Sequence, residues 1–202
     1  MRHLPLLSLC LALIFSPLVR AQDLTAEELK VAQHHLEKTR DAFLAATQGL
    51  SEAQWTFQPA PDRWSVQQVS EHIASAEDFI MGTIKDRVMS APPRSEPADL
   101  KEIDTFVLQA IADRSNRVQA PEPLVPTNRY GSGAESVQHF RESRAKTLEF
   151  LKETNNLRGH AVDSPLGRKL DAYQWLLFIS AHSERHTKQI MEVKADPNFP
   201  SQ

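Results

Sequence analysis

The sequence predicts an all-α fold, an antiparallel four-helix bundle with long connecting loops, on three observations. Glycine is scarce, 6 of 202 residues, and the alternating pattern of a half-buried strand is almost absent. Apolar residues instead recur every three or four positions over long stretches, the period of an amphipathic helix. Several of these stretches open on a Thr, Ser or Asp with Glu or Gln three residues later, the pairing that satisfies free amides at a helix start. The length suits one domain with a sizeable core. With 41% apolar and 24% charged residues the composition is that of an ordinary soluble protein. A formal charge of −3 without a basic cluster gives no reason to expect a nucleic-acid partner.

The first 21 residues read as a secretory signal rather than as fold. Arg2 and His3 make a short basic start, Leu4 to Phe15 is apolar, and Ala21 precedes a cut ahead of Gln22. The apolar run is too short to span a bilayer comfortably, so no stable membrane insertion is expected after cleavage. The expected product is an exported protein, periplasmic or extracellular, with residues 22–202 as one helical domain. The lone cysteine, Cys10, lies inside the signal, which leaves the mature chain without a disulfide, a thiol nucleophile or a thiolate ligand. Loss of Arg2 and Arg20 also takes the formal charge from −3 to −5.

The first helix starts at the Thr25–Glu28 capping pair, with Leu29, Ala32, Leu36, Phe43 and Leu50 inward, and fades at Gly49. A short turn follows over Leu50–Trp55, then a proline-interrupted connector. Ser65 and Gln68 cap the second helix, whose inward face is Val69, Ile73, Ala76, Ile80, Ile84 and Val88, and which ends at Pro92–Pro93. The third is expected from Ala98 to Ala120, with Leu100, Ile103, Val107, Ile111, Arg114 and Val118 along its stripe. Pro121 to Ala134 is a Pro- and Gly-rich loop, long enough to suggest a functional role, in which Arg129 and Tyr130 carry the recognition chemistry. A fourth helix spans about Glu135 to Asn156, and Leu157 to Lys169 connects it to the last, which runs from Asp171 to Val193.

That last helix carries the chemistry. His182 and His186 are four residues apart and therefore one turn above each other on one face. Two imidazoles so placed are half of a metal site, and the best third ligand is His72, set between Val69 and Ala76 on the apolar face of the second helix. Three imidazoles leave a fourth position open, the arrangement of catalytic rather than closed structural sites. Zn, Ni, Fe and Mn all suit such a donor set. Glu77, Ser183 and Glu184 are candidates to accept the outer ring N–H groups. His34, His35, His139 and His160 are read as packed or solvated side chains. Because Ser183 follows His182, the His-Glu-x-x-His metalloprotease pattern is absent, as are a phosphate loop, a Cys–His pair and a serine elbow. Histidines satisfied within a core by hydrogen bonds would produce the same pattern.

The stretches Trp64-Ser-Val-Gln-Gln-Val-Ser-Glu-His72-Ile-Ala and Trp175-Leu-Leu-Phe-Ile-Ser-Ala-His182-Ser-Glu-Arg-His186-Thr-Lys-Gln189-Ile190 resemble the second-helix and closing motifs of the DinB-like superfamily. The resemblance extends from about Leu24 to Val193 and would make this chain an exported member. It implies a four-helix bundle with one divalent metal on His72, His182 and His186. It also implies activities such as bacillithiol-dependent thiol transfer or mycothiol-dependent isomerisation, in members that resemble cytoplasmic enzymes. Metal-dependent hydrolase or transferase action on an unidentified small molecule is therefore the first expectation. A non-catalytic small-ligand-binding or structural envelope protein is the alternative, and a homodimer is the expected assembly.

Overall fold

The computed structural model describes residues 24–95 and 98–201; the expected signal peptide lies outside the described residues. Four long helices form the bundle: α1 (Ala26–Thr47), α3 (Val66–Thr83, extended by a π-helical turn over Ile84–Val88), α5 (Gly133–Glu153) and α6 (Ala172–Lys194). A short α2 (Glu52–Thr56) and a 13-residue α4 (Leu100–Ala112) complete the helices. α1 packs against α6 and α5, and α3 against those same two, so the four make a ring with α4 laid on the outside of α6. Within the core, early α1 and early α6 residues share one apolar cluster with late α3 and late α5 residues. α1 and α6 thus run one way and α3 and α5 the other. Among the described residues no helix is long and apolar enough to cross a membrane.

The Thr25 and Ser65 capping pairs behave as the sequence predicts, and Ser51 and Asp171 add two more. The Thr25, Ser51, Ser65 and Asp171 side chains each accept the backbone N–H three residues on, and the Glu or Gln at that position reaches back to the cap amide. α5 begins at Gly133, two residues before the expected start, because the Ser132 hydroxyl caps it by accepting the Glu135 N–H; the Trp55 ring packs where a Gly133 side chain would be. A Cβ there would stand 2.3 Å from the indole.

Two expectations are corrected. α4 ends at Ala112 rather than Ala120. The Asp113 carboxylate accepts both the N–H and the hydroxyl of Ser115, offering the chain an alternative to the next helical turn. Arg185 then holds the carbonyls of Asp113 and Asn116, and Val118, expected on the buried stripe, is 77% exposed. The connector after α5 also contains a small antiparallel hairpin, β1 (Ala161–Asp163) with β2 (Lys169–Asp171), which turns at Gly167 with φ of +69°. Its strands are three residues long, too short to show a period in sequence.

The core is divided. One apolar cluster holds Leu36, Ile84, Leu151 and Leu176, the other Phe43, Val69, Phe140 and Ile190. Between them lies a polar layer to which every long helix contributes. Arg144 of α5, completely buried, donates from Nε and Nη2 to the two oxygens of Glu77 in α3, both at 2.8 Å. It also donates to the Leu36 carbonyl and the Thr39 hydroxyl of α1 and to the Ser183 hydroxyl of α6. A second buried arginine, Arg158, joins Glu28, Asp104 and Asp171, tying the starts of α1 and α6 to α4.

Candidate metal centre

Level with the polar layer and displaced towards the α3–α6 seam, His72, His182 and His186 meet. Their candidate ligand nitrogens all lie within 4.8 Å of one another, and no other group of three or more His, Cys, Asp or Glu with such geometry occurs among the described residues. The ring centroids are 5.0 Å (His72–His182), 4.4 Å (His72–His186) and 4.4 Å (His182–His186) apart. The local cause is helical: the four-residue step stacks the α6 pair, and antiparallel packing brings α3 across at that height. His72 and His186 are buried and His182 is half-buried, so the cluster reaches the surface on the His182 side. Trp64 covers His72 at a centroid distance of 5.0 Å, and Phe178 stacks on His182 at 6.4 Å.

The outer nitrogens define the tautomers. Nδ1 of His72 stands 2.8 Å from the Leu124 carbonyl oxygen, which can only accept, so Nδ1 carries the proton. Nδ1 of His186 stands 2.8 Å from Oε1 of Gln189, and Arg114 donates to that same oxygen, which fixes the amide orientation. In both neutral rings Nε2 thus carries the lone pair, and that of His72 lies within hydrogen-bond reach of Nε2 of His182, at 3.2 Å. All three rings favour the neutral form. Burial holds the His72 pKa below its ordinary 6.5 despite the Leu124 carbonyl. Burial, and then the neighbouring imidazoles, push His182 and His186 well below 6.5. Neutral imidazoles with converging nitrogens are the state a divalent cation requires.

The expected acceptors Glu77, Ser183 and Glu184 do not serve these rings. Glu77 and Ser183 are committed to Arg144, and Glu184 pairs with Lys188 one turn along the surface. The acceptors are the Leu124 carbonyl and Gln189. Gln189 follows His186 by three residues, a spacing that could have been read; a backbone carbonyl 52 residues from its histidine leaves no mark in sequence. The remaining described histidines stay apart. His139 binds Asp78 at 2.6 Å and stacks on Tyr130, and His160 faces the Ala91 carbonyl. His34 is exposed and His35 half-buried on α1. A groove of about 680 Å³, lined by Lys38, Arg114, Glu184, Lys188 and Met191 among others, runs along another face of α6 and includes none of the three histidines.

Fold and site together define a helical bundle with an all-histidine ligand set between two helices. Residues 35–190, which include all three histidines, match the model of the DinB superfamily, and the chain belongs to that family. The uncharacterized protein YuaE of Bacillus subtilis (strain 168) is 30% identical over 149 residues, covering 72% of this chain and 86% of the relative. Among solved structures, "YfiT from Bacillus subtilis is a probable metal-dependent hydrolase with an unusual four-helix bundle topology" shares the fold. Its TM-score is 0.54 at 13% identity, over 89% of this chain and 93% of the other.

Proposed function

We propose that the protein is a metal-dependent hydrolase acting on a small molecule, with one divalent ion on His72, His182 and His186. The observation that carries this reading is the convergence of three neutral imidazoles, their ligand nitrogens within 4.8 Å, at a point that reaches the surface beside His182. When bound, a divalent ion supplies Lewis acidity, bringing the pKa of a coordinated water towards neutrality and polarising an ester or amide carbonyl. Three uncharged donors leave the full positive charge of the ion available for that purpose. The chain's own residues do the rest: Leu124 and Gln189 orient the rings, while Trp64 and Phe178 wall them with apolar surface. The hydrolase description of the structural neighbour YfiT agrees with this reading. Zn, Ni, Fe and Mn all fit the donor set.

The test is turnover of a panel of small esters and amides by metal-loaded protein, lost on chelation and restored by the ion. Metal uptake without turnover of any substrate would favour the ligand-binding alternative; absence of uptake would favour a structural protein. A thiol-transfer reading needs an external thiol, because the only cysteine is Cys10. We also propose that the chain is exported and cut before Gln22, which N-terminal sequencing of an envelope fraction decides, and that it works as a homodimer.

A further inference from the structure

We propose that Glu71 and Arg129 are positioning residues for this centre: they clamp the proline-rich segment 121–130 so that the Leu124 carbonyl holds His72 in the tautomer whose Nε2 faces the ion. The inference rests on the metal reading above and assigns a role to two residues outside the ligand set.

Glu71 precedes His72 in α3 and so projects about 100° away from it around the helix. Its side chain is buried, and its carboxylate gathers three successive backbone amides of the segment. Oε1 accepts from the N–H groups of Thr127 (2.7 Å) and Arg129 (3.2 Å), and Oε2 from Asn128 (2.7 Å). Asn128 sits at φ of +64°, in the left-handed region that Asn tolerates better than most residues. Successive amides around such a residue point to one side and form an anion-binding concavity. Here the anion is a side chain of the protein itself.

Arg129 passes the constraint on. Its Nε donates to Glu71 Oε1 at 3.1 Å, and its Nη2 donates to the carbonyls of Pro123 (3.0 Å) and Val125 (3.2 Å). Those two residues flank Leu124. With both neighbours held, the Leu124 carbonyl is directed at Nδ1 of His72. The segment cannot hold itself by a regular ladder, because Pro121, Pro123 and Pro126 have no N–H to offer. A single 3-10 turn over Glu122–Leu124 is the only helical structure in this segment, and the clamp fixes that turn against α3; its end point is the proton on one ring nitrogen.

A purely structural role would hold the loop without governing the ring, and the two are separated by reading the His72 tautomer directly. The experiment records long-range ¹H–¹⁵N spectra of the histidine rings in metal-free protein, with Zn²⁺ affinity by chelator competition. It compares wild type with Glu71→Gln, which places an NH₂ group where three N–H groups converge, and with Arg129→Met, which frees the Pro123 and Val125 carbonyls. In wild type, His72 should show a protonated Nδ1 and a free Nε2. In Glu71→Gln it should become a mixture of tautomers while Zn²⁺ affinity falls by about tenfold to a hundredfold, the usual cost of losing a partner that orients a ligand. Arg129→Met should shift both readouts the same way and by less. A wild-type tautomer in the folded variants overturns the proposal, whatever their Zn²⁺ affinity. Should Glu71→Gln fail to fold, an unchanged tautomer in Arg129→Met overturns it equally. A wild type that takes up no Zn²⁺ would sink the metal reading alone, since the metal-free spectra still decide the positioning role.

Discussion

Two polar clusters lie at nearly the same level of one bundle, and they differ in the balance of donors and acceptors. Around Arg144 all five guanidinium N–H groups have acceptors: two on Glu77, and one each on Leu36, Thr39 and Ser183. Glu77 takes a further hydrogen bond from Thr147. That cluster is closed, with each charge matched inside the protein. At the three histidines the outer N–H groups of His72 and His186 are matched by Leu124 and Gln189, while their inner nitrogens converge with that of His182 within 4.8 Å. That cluster is one that a cation would complete. The comparison teaches that burial alone does not distinguish a structural polar group from a functional one. What does is whether the protein supplies the last partner.

The largest effect should come from opening the closed cluster. Arg144→Met leaves the Glu77 carboxylate buried without its partner and should cost about 3–5 kcal/mol in denaturant unfolding, most of it recovered when Glu77 is replaced by Leu as well. If the single substitution costs no more than a surface change, the layer is not what holds the helices in register. The open cluster should respond to metal instead. Zn²⁺ at a hundred times its dissociation constant should stabilise the wild type by about 2.7 kcal/mol, the linkage expected for a site present only in the folded chain. His186→Ala should lose that gain and most of its bound metal by elemental analysis, while metal-free it stays within about 1–2 kcal/mol of wild type. Equal metal content in the two proteins would remove the basis of the comparison.

Acid should separate the clusters more gently. The histidine pKa values are lowered by folding, so below about pH 6.5 the unfolded chain takes up protons that the folded chain does not. Stability of the metal-free protein should therefore fall as pH drops through that range, at no more than about 1.4 kcal/mol per pH unit for each extra proton bound. Urea melts between pH 7.5 and 5.5 measure this, and a flat profile would show that the rings are not held neutral. Smallest of all is Glu184→Ala. Its carboxylate pairs with Lys188 at the surface and touches neither cluster, so stability should change by less than about 0.5 kcal/mol, with metal content unaltered. A loss of metal in that variant would restore Glu184 as a partner of the site.

Much of this molecule is legible in the chain because it is local. Helix starts follow from capping pairs three residues apart, buried faces from the helical period, and the His182–His186 pair from a four-residue step within one helix. These relations are decided within one or two turns, and the sequence determined them by itself. The Asp113–Ser115 contact that ends α4 is likewise short in range. Tertiary structure alone decided which polar groups meet across helices. Only packing gives Arg144 its partners Glu77, 67 residues away, and Leu36, 108 residues away. Glu77 and Ser183 stand at the expected height for serving the histidines, yet the Arg144 guanidinium claims both. The loop carbonyl that orients His72 belongs to no side chain at all. A hydrogen bond depends on the position and direction of two atoms in space, and for partners so far apart along the chain only the packed bundle sets either.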